Sequence, residues 1–168
     1  VIGTSAHAAT FDATASFRTI ADVNITDFSD LSFGQEVTGK ESTTCIVTAA
    51  YSAATTVTGT LDAASTGCTD SGTNMTAGGF TITGAEDAAI TIFMATAVAD
   101  NFNFAPSGNF NDNATSSVET DFFPDSNLNV SFDGTNAGTL AVGGTLTITT
   151  ALGASSSESI GYIVSVVY

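Results

Sequence analysis

An all-β sandwich is the fold class this sequence predicts, and three observations predict it. Apolar and polar residues alternate with a period of two along most of the chain, while helical spacing is nearly absent. Thr, Val and Ile are frequent throughout, and Gly, Asn and Asp recur at the intervals expected of turns between short strands. No repeat of fixed period is present, which sets aside solenoids and propellers. Roughly ten short strands separated by turns fit two stacked sheets.

The elements follow in order. Odd positions read Phe11, Ala13, Ala15, Phe17, Thr19, Ala21, Val23 and Ile25, and even ones Asp12, Thr14, Ser16, Arg18, Ile20, Asp22 and Asn24. That predicts one long strand, or two collinear ones, over 11–25 with one buried face. Leu31-Ser-Phe33 is a short strand closed by Gly34, and 45–51 should pair with 55–61. Residues 79–84 and 88–95 read as another pair, with Glu86 and Asp87 solvated at the turn. The stretch 98–124 reads as a loop pinned to the body by Phe102, Phe104, Phe110, Phe122 and Phe123. Residues 128–132, 139–142, 145–150 and 160–168 complete the set. The last of these is the most apolar and ends on Tyr168, so it is expected to be buried in the sheet.

Composition bounds the function. A chain of 168 residues fits one domain. It can bury about 70% of the surface that its unfolded form exposes. Twelve Phe and a hydrophobic fraction of 43% supply the core. Seventeen Asp and Glu oppose only Arg18 and Lys40, for a net charge of −15. Nucleic acids and anionic lipids are bound through clustered Lys and Arg, so neither is an expected partner. No run approaches the roughly 18 apolar residues of a membrane helix, so no membrane span is expected. Abundant Thr, Ser, Ala and Gly with little Lys and no Trp suggest a secreted, extracellular bacterial protein. Ala6-His7-Ala8 has the small-x-small spacing of a signal-peptidase site.

Chemistry-bearing constellations are few. His7 is the only histidine, so no Ser-His-Asp or Cys-His site is available and no enzymatic activity is expected. Cys45 and Cys68, the only cysteines, are expected to form one disulfide in an exported chain. The rival reading, two metal thiolates, lacks CxxC spacing and histidine partners. No cofactor is expected. Calcium is the one candidate metal: Asp125, Asn127 and Asn129 imitate the first three positions of a calcium loop, with Asp121 and Asp133 nearby. That loop has Val130 where the sharp turn needs Gly, and no Glu at its twelfth position.

Three segments in order resemble the DUF4402 domain, a pilin-like family of secreted bacterial proteins. Asp30-Leu-Ser-Phe-Gly34 followed by Gly39 resembles that family's L-x-F-G…G. Gly79-Phe-Thr-Ile-Thr-Gly84 followed by Ala89-Ile-Thr-Ile92 resembles F-x-V-x-G…Y-x-I, with Ala89 in place of the usual aromatic. Leu140-Ala-Val-Gly-Gly-Thr-Leu146 followed by Gly161-Tyr-Ile-Val-Ser-Val-Val-Tyr168 resembles L-x-V-G-G-T-L…G-x-Y-x-V-x-V-x-Y. The disulfide and the Phe-rich stretch 98–124 depart from the family pattern.

The resemblance implies an immunoglobulin-like, pilin-type sandwich completed by a donor strand from a neighbouring subunit. Residues 1–12 would be the donor extension and 13–168 the sandwich domain. Val1, Phe11, Ala13, Ala15 and Phe17 would carry the donor face, and Tyr162, Val164, Val166 and Tyr168 one wall of the groove. Partners would be identical subunits in a homopolymer, with a periplasmic chaperone and an outer-membrane usher for assembly. Two readings stand at this point. One is a filament subunit. The other is a monomeric secreted module that binds carbohydrate or a surface protein, with calcium at Asp121, Asp125, Asn127 and Asp133.

Overall fold

The fold is known from a computed structural model, which describes residues 21–69, 75–113 and 119–168. Every regular element among them is a strand: β1 Asn24–Ser29, β2 Ser32–Phe33, β3 Thr44–Ala53, β4 Thr56–Leu61, β5 Met75–Thr76, β6 Gly78–Thr83, β7 Ala89–Met94, β8 Ala97–Val98, β9 Phe102–Asn111, β10 Thr120–Phe122, β11 Asn127–Ser131, β12 Ala137–Ile148 and β13 Val164–Val167. All pairings between them are antiparallel. Residues 11–20 of the predicted first strand lie outside the described residues; of its described remainder, 21–23 are not strand, and β1 begins at Asn24 and runs past Ile25 to Ser29.

Eight strands form the larger sheet, with β12 at its centre. One side of β12 pairs along its length with β9, and β8 and β10 continue the sheet beyond β9. The other side pairs first with β6 through residues 137–142, then with β3 through residues 144–147. Beyond them lie β1 on β6 and β4 on β3. A smaller sheet has the order β11-β7-β13, and β2 pairs with β5. The core joins the two main sheets. Ile90, Ile92, Met94 and Leu128 of the smaller pack with Ile82, Phe110, Phe122, Leu140 and Val142 of the larger. That arrangement is consistent with a β-sandwich.

The change of partner along β12 requires glycine. A Cβ on Gly143 would stand 2.1 Å from the Val47 carbonyl oxygen, and one on Gly144 would stand 2.3 Å from that of Ala105. Gly144 also adopts φ +141°, which other residues rarely reach. At this junction the β3–β4 hairpin swings over the outer face of β9 and β12. Asn109 Nδ2 donates to the Ala49 carbonyl (3.3 Å) and Thr139 Oγ1 to that of Ala54 (2.6 Å). Ala49, Ala77 and Ala141 form a second, small core there.

Four expectations are corrected. Residues 79–84 and 88–95 do not pair: β6 and β7 belong to different sheets. Asp87, at φ 58°, donates its backbone N–H to Phe132, and Phe132 donates to Ala88, so the chain is led to β11 instead of back along β6. The stretch 98–124 is not a loop. It holds β9 and β10, because Phe102, Phe104, Pro106 and Phe110 share the inward face of a ten-residue strand. Phe123 does not pin it, being 65% exposed. Residues 139–142 and 145–150 are one strand, since Gly143 and Gly144 bend it without ending it. The closing strand is shorter than 160–168 and lies at a sheet edge, with Val164 and Val166 half-buried and Tyr168 45% exposed. It has a neighbour on one side only among the described strands, so it cannot be enclosed.

The disulfide expectation holds. Cys45 and Cys68 are joined, with Cα atoms 5.4 Å apart, tying the start of β3 to the segment after β4. Val37 bridges to Cys68 from the other side.

Two expected outcomes follow. Gly144→Ala should cost about 2 kcal/mol or more. Gly153→Ala, whose added Cβ meets nothing within 4 Å, should stay within about 0.5 kcal/mol. Equal losses in urea unfolding would refute the assignment of strain to the β12 junction. Replacing both cysteines by Ala should lower stability by about 3 kcal/mol in the same measurement, the loop-closure value for a bridge 23 positions long.

Candidate functional site

Two sheet edges face one another across an opening in the molecule. Among the described strands β1 pairs only with β6, and β13 only with β7, so each has one free edge. Between β1 and the run leading into β13 lies a cleft of about 570 Å³. Its floor is apolar, from Ile25, Phe80, Tyr162 and Val164, and Asp27 and Asp30 stand on the β1 side. Ile25 is half-buried against the core and Asp27, two residues on, is exposed; the pairing of β1 with β6 slips between Asp27 and Ser29, and Asp30 beyond it is exposed. Ser29 Oγ donates to the Ala77 carbonyl (2.8 Å), and Thr76 Oγ1 donates to that of Asp30 (2.7 Å). These bonds hold the far end of β1 against the start of β6.

Beyond Tyr162 and Ile160, which line both spaces, the cleft meets a cavity of about 890 Å³. Phe102, Phe104, Leu146 and Ile148 of the larger sheet line it. Its other wall is formed by segments 34–40 and 152–160. Leu152 N–H, bonded to the Gly39 carbonyl (2.8 Å), joins these two segments, and residues 149–163 form no strand. Here the larger sheet is covered by irregular chain instead of a paired strand.

Tyr162 is the partition between the two spaces. Its ring meets Phe80 edge-on at 6.3 Å and Phe104 at 5.3 Å, and Phe104 in turn meets Phe33 at 5.7 Å. Gly78 makes room for it, since a Cβ there would stand 2.7 Å from the Tyr162 hydroxyl. Burial, and after it the nearby carboxylates of Asp30 and Asp27, push the phenol up to about 12, because each disfavours the phenolate.

The structure places the sequence candidates as follows. Tyr162, Val164 and Val166 pack together against the core beside the cleft. Tyr168 lies at the opposite end of β1, where its hydroxyl accepts from Ala85 N–H (2.8 Å) and donates to the Ala21 carbonyl. Val1, Phe11, Ala13, Ala15 and Phe17 lie outside the described residues, as does His7.

The calcium candidates are not brought together. Asp125 accepts from Thr96 N–H and Oγ1 (2.8 and 2.6 Å), and these bonds hold its carboxyl below the ordinary range. Asn129 Oδ1 accepts from Thr91 Oγ1, Asn127 stands on β11 opposite Phe93, and Asp121 on β10 opposite Asn109. Asp133 donates its backbone N–H to the Asp112 carboxylate. Among the described residues no three His, Cys, Asp or Glu side chains are grouped to hold a metal ion. No helix among them is long and apolar enough to cross a membrane.

Ile25, Phe80, Asp27 and Asp30 were not singled out as site residues. Only the separation of the two sheets shows that this edge opens on a cleft. Comparison with protein-family models, with curated proteins and with solved structures finds no match to any of them.

The raised Tyr162 pKa carries a pH consequence. A phenol ionising near 10 when unfolded and near 12 when folded contributes stability that is complete below pH 10 and lost as pH rises toward 12. The melting temperature should therefore fall across that window, and Tyr162→Phe should remove this part of the fall. A Phe variant with an unchanged alkaline profile would show that Tyr162 is not its source.

Proposed function

We propose that this chain is a structural subunit of a bacterial extracellular filament, secreted and then polymerised by donor-strand exchange. The observation that carries the reading is the pair of adjoining spaces, the cleft between β1 and the run into β13 and the cavity beyond Tyr162, beside two strands that each have one free edge among the described strands. An added strand would satisfy backbone groups on an edge and cover the apolar floor in one step. Repeated head to tail, that exchange builds an open filament instead of a closed oligomer. The segment resembling the terminal motif of the pilin-like family supplies the β13 side of this opening. The N-terminal residues before β1, whose odd positions include Phe11, Ala13, Ala15 and Phe17, are the donor. The role is structural and non-enzymatic, with no cofactor, and a chaperone and usher would deliver the subunit.

The cavity supports a second reading. Its volume of about 890 Å³ falls in the range of ligand pockets, which suits a monomeric secreted module that binds carbohydrate or another surface protein.

Electron microscopy of native, undenatured protein separates the two. Filaments with a repeat of a few nanometres are expected of the full chain. Deletion of residues 1–18, which removes the whole alternating donor face, should abolish them while leaving a folded, association-prone subunit. Filaments that persist after the deletion would remove donor-strand exchange as the mechanism. Discrete particles from the full chain, with a truncated form equally stable and monodisperse, would favour the binding module.

A further inference from the structure

The cleft and the cavity differ in what surrounds them. A strand can pair at the edges beside the cleft, but the cavity beyond Tyr162 is walled by segments 34–40 and 152–160, neither of which forms a strand. Backbone pairing therefore does not account for the cavity. Resting on its reading as a ligand pocket, we propose that it binds a medium- or long-chain fatty acid, with the alkyl chain on the Phe102–Phe104 floor and the carboxylate at Lys40.

Packing is the first argument. Phe102, Phe104 and Ile148 of the floor are buried, and Phe33 meets Phe104 edge-on. The roof over residues 153–159 reads Gly-Ala-Ser-Ser-Ser-Glu-Ser, and every one of these residues is exposed. Its largest apolar side chain is the methyl of Ala154. In a close-packed sandwich, a facing strand would cover such a floor with apolar side chains. Here floor and roof enclose about 890 Å³, and the roof has nothing of the kind to set against the aromatic rings. An alkyl chain supplies those contacts. A saccharide does not, because its hydroxyls would face Phe102, Phe104, Leu146 and Ile148, which offer them no hydrogen-bond partner.

The distribution of polar groups is the second. Gln35, Thr38 and Lys40 on one wall and Ser155 to Glu158 on the other line the same cavity, and all are exposed. The cavity is thus apolar at its floor and polar toward solvent, which matches a molecule with an alkyl tail and a polar head.

Charge selects the head. Lys40 and Glu158 are the charged side chains lining the cavity, one on each wall. Lys40 is also the only Lys or Arg among the described residues, in a chain of net charge −15. An anionic head is repelled over most of this surface and attracted at Lys40. Glu158 opposite disfavours a second negative charge, so a single carboxylate suits the mouth better than a phosphate monoester.

The test is calorimetric titration of the full-length chain with octanoate, decanoate and dodecanoate below their micelle concentrations, and with decanol and maltotriose. Saturable binding of one dodecanoate per chain is expected, weakening about two- to fourfold for each methylene removed. Lys40→Gln should weaken decanoate about two- to fivefold and leave decanol unchanged. Leu146→Phe and Ala154→Trp, which add volume from floor and roof, should each weaken dodecanoate at least threefold. Ala154 is exposed, so its variant preserves the test if Leu146→Phe does not fold. Dodecanoate binding that ignores Lys40→Gln and Ala154→Trp alike would overturn the proposal. Binding of maltotriose without dodecanoate would overturn it and leave the pocket reading standing. If neither binds, the small-molecule pocket falls with it.

Discussion

Twelve residues of β12 hold β9, β6 and β3 in register at once. Leu140 and Val142 face the main core from this strand, while Thr139 and Ala141 face the hairpin folded over the other side. A one-residue slip would exchange these two sets and bury the wrong face everywhere. The glycine pair at its middle lets one strand serve two partners on the same side, because the Val47 and Ala105 carbonyls approach too closely for any side chain. Both the position of β1 and that of the cavity floor descend from this arrangement, through β6 on one half and β9 on the other.

The fold class was legible because period-two alternation survives wherever a strand has one buried face. β3, β4, β7, β11 and β13 all announced themselves in this way, whereas β1 shares only Asn24 and Ile25 with the alternating stretch 11–25. β9 did not, since its inward positions include Pro106 and Gly108, residues that ordinarily mark turns. Proline is tolerated there because β8 and β10 pair only with other parts of β9, at Asn103–Phe104 and Gly108–Phe110. The division of β6 and β7 between sheets was also hidden, because a short polar turn reads the same whether the chain doubles back or crosses between layers. The disulfide needed no such geometry, as a chain with only two cysteines leaves one pairing.

The site was legible only in part. Alternation in 160–168 identified Tyr162, Val164 and Val166 as inward-facing, and they are. That the strand would lie at an edge, with a cleft beside it, depends on contacts between segments more than a hundred residues apart. Tyr162 illustrates the point. Its neighbours Phe80, Phe104 and Gly78 are distant in sequence, and its partition of cleft from cavity exists only once three layers of chain meet.

The two edges bordering the cleft differ in how they are guarded. The β1 side carries Asp22, Asp27 and Asp30, charges that discourage a stray strand from pairing there. From Ser159 to Tyr168 there is no charged residue at all, and Ile163 and Val167 are exposed. An apolar, uncharged edge is a template for aggregation as readily as for orderly pairing. For this protein, correct folding does not end the hazard. On the filament reading proposed above, productive capture of that edge would compete with clumping, and the competition would tighten as the subunits become more concentrated.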